Sequence, residues 1–223
     1  MHKELTMNQP IAVLAGTPVD TQMGMDVLQD NGLAGMAFPV SQNPREQTAF
    51  QVSSADKKYQ TIRTILRRAQ EQGCRKAFIY CNSLSSSVDF HPISKEIAMP
   101  IVTPLDVYQQ LAPRYHRLGL IAANAQGLSG IEKTLYEANP TLDILSASLL
   151  PVVLSIEAKM KPAALVARHH LDQLAHWMES CQMEALILGC THFPYFKKEL
   201  AQHTTLPLID PAEEMIQLLM ARE

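Results

Sequence analysis

The run Leu186-Ile187-Leu188-Gly189 carries no charge and no alternation of polar with apolar side chains. A strand of that makeup is buried on both faces, so helices must cover both sides of the sheet it joins. The run stops at a glycine, and a thiol, a hydroxyl and an imidazole follow at once in Cys190, Thr191 and His192. An earlier stretch, Ala77-Phe78-Ile79-Tyr80, has the same build and hands over to Cys81, Asn82 and Ser83. In open α/β sheets, ligands bind beyond the carboxyl ends of the strands. Both thiols therefore stand where such a fold does its chemistry.

The rest of the chain alternates in the same way. Strands are predicted over residues 11–15, 34–40, 76–81, 100–102, 117–123, 142–145 and 206–209, besides the Cys190 strand. Helices are predicted from about Thr21 to Asn31-Gly32, over about 44–52, 55–72, 91–98, 105–111, 128–137 and 196–202, and from Pro211 onward. One long helical region is expected over 162–181, and residues 83–87 read as a polar loop. In the 55–72 helix the apolar stripe is Ile62, Ile65, Leu66 and Ala69, with Arg63, Arg67 and Arg68 on a solvated face. This alternation gives an α/β fold with mostly parallel sheets.

The two halves echo each other. The Ile11–Ala15 run with its following helix matches Leu118–Ala122 with its own, and the offset between the halves is nearly constant, 106 residues from Gly24 to Gly130 and 109 from Cys81 to Cys190. A duplicated unit is the natural source of such an echo. The expected domains are residues 1–104 with 203–223, carrying Cys81, and residues 105–202, carrying Cys190: two similar Rossmann-like or flavodoxin-like lobes, related by a pseudo-twofold, with a cleft between them.

Bulk properties exclude several function classes. A net charge of −3 and a pI near 6.2 give no polyelectrolyte footprint, so no nucleic-acid partner is expected. No apolar run approaches the roughly 18 residues of a membrane span, and residues 1–10 lack the apolar core of a signal peptide. A cytoplasmic protein with reduced thiols is expected, so the 4 cysteines count as reactive, metal-binding or buried, and not as a disulfide framework. Two thiols at matching strand ends invite a two-base reaction, in which a proton leaves one face of a carbon and another arrives on the opposite face. Backbone N–H groups where strand gives way to loop or helix are free to hold a carboxylate there.

The tracts Tyr80-Cys81-Asn82-Ser83 and Leu188-Gly189-Cys190-Thr191-His192-Phe193-Pro194 resemble the two signature motifs of the aspartate/glutamate racemase family, in order, spacing and strand context. The resemblance implies two α/β lobes, no cofactor, no metal, and a small amino acid bound between paired cysteines in a homodimeric enzyme. It implies that Cys81 deprotonates the D-enantiomer and Cys190 the L-enantiomer, with His192 assisting Cys190. It also implies that Asn82, Ser83 and Thr191 bind the substrate's carboxylate or amino group. Pro151-Val152-Val153-Leu154-Ser155-Ile156-Glu157 is similar to a tract that brings a glutamate into the family's site, which makes Glu157 a candidate. The departure is in the first loop. Glutamate racemases carry an Asp-Ser pair after the first strand, whereas this chain reads Ala15-Gly16-Thr17-Pro18-Val19-Asp20. Thr17, Asp20 and Asn124 complete the candidates for substrate contact.

Plainer readings stand beside these. A lone cysteine at a strand end is by default a small buried hydrophobe, and Cys74 and Cys181, which precede their strands, are read as structural. No ligand set with zinc spacing surrounds His192. The His169-His170 pair sits in a helix as a packed or solvated pair, and Glu157 can be a helix-start acid. The function expected is a pyridoxal-independent racemase acting on aspartate or glutamate. The alternatives are a relative acting on a hydantoin or malonate-type acid, and a catalytically silent ligand-binding member.

Overall fold

A computed structural model of the chain describes residues 9–222, so the amino-terminal reading above lies almost wholly outside the described residues. Eight strands and twelve α-helices alternate along these residues. The first unit holds β1 (Ile11–Ala15), α1 (Pro18–Asp30), β2 (Gly35–Pro39), α2 (Pro44–Gln51), α3 (Ala55–Glu71), β3 (Ala77–Ile79), α4 (Asn82–Ser87), α5 (Phe90–Ile97) and β4 (Ile101–Val102). The chain then passes through α6 (Pro104–Leu111) into β5 (Arg117–Ala122), α7 (Ala125–Ala138), β6 (Asp143–Ser148), α8 (Leu150–Glu157), α9 (Pro162–Arg168), α10 (Leu171–Ser180), β7 (Ala185–Gly189), α11 (Pro194–Leu200) and β8 (Leu208–Ile209). It ends in α12 (Ala212–Ala221).

Every strand pairing is parallel, and the two sheets repeat one topology: β2-β1-β3-β4 in the first and β6-β5-β7-β8 in the second. The inner strands are the charge-free runs. All five residues of β1 and of β7 are buried, whereas the edge strands β2 and β6 are largely half-exposed. Each sheet has its own core. In the first, Leu14, Ile62, Leu66, Ile79 and Ile93 pack together; in the second, Leu165, Met178, Leu186, Phe193 and Phe196 do. Burial of that kind is the main force holding each unit, at about 1.5–3 kcal/mol per large aliphatic side chain.

The chain divides inside α6, at Asp106, and crosses back at Ala212. The second unit therefore runs to Pro211 and not to Gln202, because β8 pairs with β7: Leu186 is opposite Leu208 and Ile187 opposite Ile209. The closing helix α12 belongs to the first unit. Lys76 Nζ donates to the Leu219 carbonyl at 2.9 Å, and Arg222 reaches the Asp106 carboxylate at 2.7 Å.

Local differences from the sequence reading have identifiable causes. The 162–181 region is two helices, because His170 adopts a left-handed conformation with φ 52° between α9 and α10; His169 is the residue before that break and meets Ser155 Oγ at 2.8 Å. Residues 82–87 form a short helix and not a loop, with each of Ser85 and Ser86 donating its hydroxyl to a carbonyl four residues back. Arg63 and Arg67 do not face solvent alone; both engage Glu96, tying α3 to α5.

Glu179, near the end of α10, performs a similar task in the second unit. It accepts from Thr204 Oγ1 at 2.6 Å, Thr205 N at 2.5 Å and Thr205 Oγ1 at 2.9 Å, anchoring the segment that leads into β8. The Thr204 hydroxyl first, and then the Thr205 amide, pull its carboxyl down to about 2 from the ordinary 4.5. A carboxyl depressed by folding adds stability that is complete above its unfolded value and is lost as pH falls toward its folded value. Urea midpoints are thus expected to drop between about pH 4.5 and pH 2, and Glu179→Gln should be less stable at neutral pH and flatter across that window.

Candidate active site

In the first unit the site is built at the carboxyl ends of β1 and β3. Cys81 follows β3, is 4% exposed and serves as the amino-terminal cap residue of α4. Burial first, and then the nearby Asp20 carboxylate, push its thiol up to about 11. The Ser83 hydroxyl and the backbone amides of Leu84 and Gly16 act the other way, as donors to the sulfur. Ser83 Oγ lies 3.5 Å from Cys81 Sγ. Asn82 is buried as the first residue of α4.

The loop after β1 faces this thiol. Thr17 caps α1, its Oγ1 accepting from Asp20 N at 3.4 Å, and Pro18 opens the helix as proline does where no N–H is required. Asp20 is buried in the first turn of α1, and its charge reaches Cys81. Two residues that the sequence reading does not single out complete the neighbourhood, both from α2. Gln47 Nε2 stands 3.9 Å from Cys81 Sγ, and Gln51 Nε2 donates to Ser83 Oγ at 2.9 Å. They sit one turn apart on one helix face. No local pattern marks them, since they meet their partners across 34 and 32 residues of chain. The one available signal was Gly16, which leaves space where a side chain would otherwise stand.

In the second unit the corresponding place follows β7. Gly189 ends the strand, and a Cβ there would stand 2.7 Å from Ile131 Cδ1 and 2.9 Å from the Ile121 carbonyl oxygen. Only a residue without a side chain lets β7 lie so close to β5. The next residue, Cys190, is 6% exposed. The turn behind it is closed by Phe193 N donating to the Cys190 carbonyl at 3.0 Å, and pinned by the fully buried Phe193 ring, 5.2 Å from that of Phe196. His192 is brought back toward the thiol, its Nδ1 3.7 Å from Cys190 Sγ, while its Nε2 lies 3.6 Å from Glu157 Oε1. Glu157 is the last residue of α8, not a helix-start acid. Thiol, imidazole and carboxylate therefore form a line in which a proton or a charge on one is felt by the next.

The other candidates distribute as follows. Thr191 is half-buried beside Cys190. Asn124 caps α7 by accepting from Gly127 N at 2.9 Å, which makes it the counterpart of Thr17 in the first unit. Cys74 is fully buried and Cys181 caps the end of α10, both on the approach to a strand. No disulfide joins any of the four cysteines.

A family model described as Asp/Glu/Hydantoin racemase matches residues 5–219, nearly the whole chain. The chain belongs to the Asp/Glu/Hydantoin racemase family. Among relatives of this racemase family, glutamate racemase of Limosilactobacillus reuteri (strain DSM 20016) is 30% identical over 152 residues, 66% of this chain and 56% of that one. A glutamate racemase of Thermus thermophilus is 31% identical over 157 residues, 68% of this chain and 54% of that one. The chain thus spans about half the length of the curated relatives it matches. The fold is that of solved racemases. It superposes on glutamate racemase from Francisella tularensis, a complex with D-glutamate, with a TM-score of 0.72, 20% identity and coverage of 96% of this chain and 80% of that one. It superposes on an aspartate racemase homologue from Pyrococcus horikoshii with a TM-score of 0.69, 15% identity and coverage of 95% and 98%. No helix among the described residues is long and apolar enough to cross a membrane.

Proposed function

We propose that this chain is a pyridoxal-independent amino-acid racemase that interconverts the enantiomers of aspartate or glutamate, with Cys81 and Cys190 serving opposite faces of one α-carbon. The observation that carries the reading is the matched pair. Two units of identical strand order each hold a buried thiol just past the same inner strand, with its own polar partners. The glutamate racemases among its relatives and the family it belongs to support amino-acid stereochemistry as the purpose of the pair.

In the proposed reaction one thiolate removes the α-proton, the electron pair delocalises into the substrate carboxylate, and the other thiol delivers its proton to the opposite face. The two sulfurs exchange protonation states in each turnover, so nothing is consumed. A thiol with its pKa pushed up to about 11 is protonated at rest, so Cys81 starts as a proton donor of the pair. Substrate binding supplies what Cys81 needs for the reverse direction: an ammonium group placed near Asp20 cancels the repulsion that disfavours the thiolate. On the other side, His192 and Glu157 form the relay that assists Cys190.

The test is direct. Purified protein is incubated with single enantiomers of aspartate, glutamate and a panel of other amino acids, without pyridoxal phosphate, and the products are resolved by chiral chromatography. One of the two acidic amino acids should racemise from both directions. Unchanged optical purity across the panel would overturn the reading and favour a ligand-binding role.

A further inference from the structure

The space beside Cys81 is occupied by a side chain that could be there only because residue 16 is glycine. A Cβ on Gly16 would lie 1.9 Å from Gln47 Nε2 and 2.3 Å from its Cδ, inside any permitted contact. With glycine in place, the carboxamide of Gln47 fills that space and brings Nε2 to 3.9 Å from Cys81 Sγ. Its helix is held at the amino-terminal end by reciprocal hydrogen bonds. Asn43 Oδ1 accepts from Glu46 N at 3.0 Å, the Glu46 carboxylate accepts in return from Asn43 Nδ2 and Gln42 N, and Phe50 supplies the buried anchor. Four residues on, Gln51 Nε2 holds Ser83, itself 3.5 Å from the same sulfur.

We infer that Gln47 is a positioning residue for Cys81: its amide N–H, admitted by Gly16, stabilises the thiolate that takes the substrate's proton. The inference rests on the reading of Cys81 as a base, and deepens it. The first loop of this chain has no carboxylate directly after β1, where Gly16 and Thr17 stand. The thiolate is instead received by neutral donors: Gln47 from α2, Ser83 from α4, and the amides of Gly16 and Leu84. The charged group that faces it is Asp20 of α1, which opposes ionisation. A neutral donor favours the thiolate without adding a further negative charge to that of Asp20, beside a substrate that is already an anion. Residue 16 thereby acts as the gate for residue 47: any side chain at 16 and the carboxamide of Gln47 cannot share the space.

The test measures Cys81 itself, without substrate. Native protein is alkylated with iodoacetamide at a series of pH values, and each cysteine peptide is quantified by mass spectrometry. Gln47→Glu keeps the volume but replaces the N–H donor with an acceptor, so access to the sulfur is unchanged. Gly16→Ala evicts the carboxamide while leaving Gln47 in the sequence. Gly16→Ala, and Gln47→Met, which removes the donor without adding charge, should each slow Cys81 alkylation by about tenfold at a given pH, the size expected for losing one hydrogen bond to a charged group. Gln47→Glu should slow it more, because its carboxylate also repels the thiolate. Cys190, in the other unit, should react as before. Gly16→Ala combined with Gln47→Ala should be no slower than either alone, since both remove the same contact. Unaltered Cys81 reactivity in Gln47→Glu would overturn the inference, as would additive losses in the double variant. Should Gly16→Ala fail to fold, as circular dichroism and Cys190 reactivity would reveal, Gln47→Met decides: unaltered Cys81 reactivity in it overturns the inference. A failure of the racemase reading is seen separately, as unmodified protein that racemises nothing while Cys81 still responds to residue 47.

Discussion

Replacing either Cys81 or Cys190 with serine is expected to stop racemisation while leaving half of the proton chemistry intact. A serine hydroxyl is far too weak an acid to replace a thiolate at neutral pH, and one positioned base is worth about 10²- to 10⁴-fold in rate. The surviving thiolate still faces its own enantiomer and can remove its α-proton, but no group returns a proton from the other side. Substrates that expel a β-leaving group once the α-proton is gone need one base only, and they expose this asymmetry. Cys81→Ser should keep elimination from the L-isomer and lose it from the D-isomer; Cys190→Ser should do the reverse. The complementarity follows from two bases on two faces, and its direction from the family resemblance. Equal loss of both eliminations in both variants would mean that the thiols do not act as independent bases.

The second large effect is expected at His192, and it should be one-sided. The imidazole stands between Cys190 Sγ and Glu157 Oε1, at 3.7 and 3.6 Å, and is itself buried. On the proposed mechanism, its removal takes away the group that would accept the thiol proton and spread the resulting charge toward Glu157. His192→Asn should slow elimination from the L-isomer by about 10²-fold, at the lower end of the range for general acid–base assistance. Glu157→Gln should act in the same direction and more weakly, because the imidazole stays in place. Neither change should alter elimination from the D-isomer, which relies on Cys81 and its own donors. A His192 that merely fills core space would lower both reactions together, through loss of folded protein.

The alternation of strand and helix was legible because the inner strands β1, β3, β5 and β7 exclude charge almost completely, Arg117 at the start of β5 being the exception. The doubled topology showed through the constant spacing of Gly24 to Gly130 and Cys81 to Cys190. The misread segments share a cause, which is that their structure depends on single backbone positions or distant partners. The apolar side of α9 and α10 runs on through His169 and His170, so periodicity alone cannot reveal the left-handed turn at His170. The serines of α4 have poor helix propensity, which is why the segment reads as a loop; in the helix their hydroxyls are satisfied by carbonyls one turn back. β6 extends to Ser148 as a half-exposed edge strand, where polar residues are tolerated. Among the candidate residues, the places of Cys81 and Cys190 just past an inner strand, with His192 two residues beyond Cys190, were legible from the sequence. Gln47 and Gln51 were not, because nothing near them in sequence indicates which strand end α2 will cover.

The central claim, two thiols on two faces of one carbon, is tested most directly by following the hydrogen. Each single enantiomer of the acid that is turned over is converted in deuterium oxide to a small extent, and both enantiomers are then recovered and analysed by mass spectrometry. Two bases predict that the product enantiomer carries one deuterium at the α-carbon while the recovered starting enantiomer still carries protium, because the base that removes a proton is not the one that returns it. Deuterium appearing in the recovered starting enantiomer as fast as in the product would mean a single base exchanging with solvent, and would contradict the account.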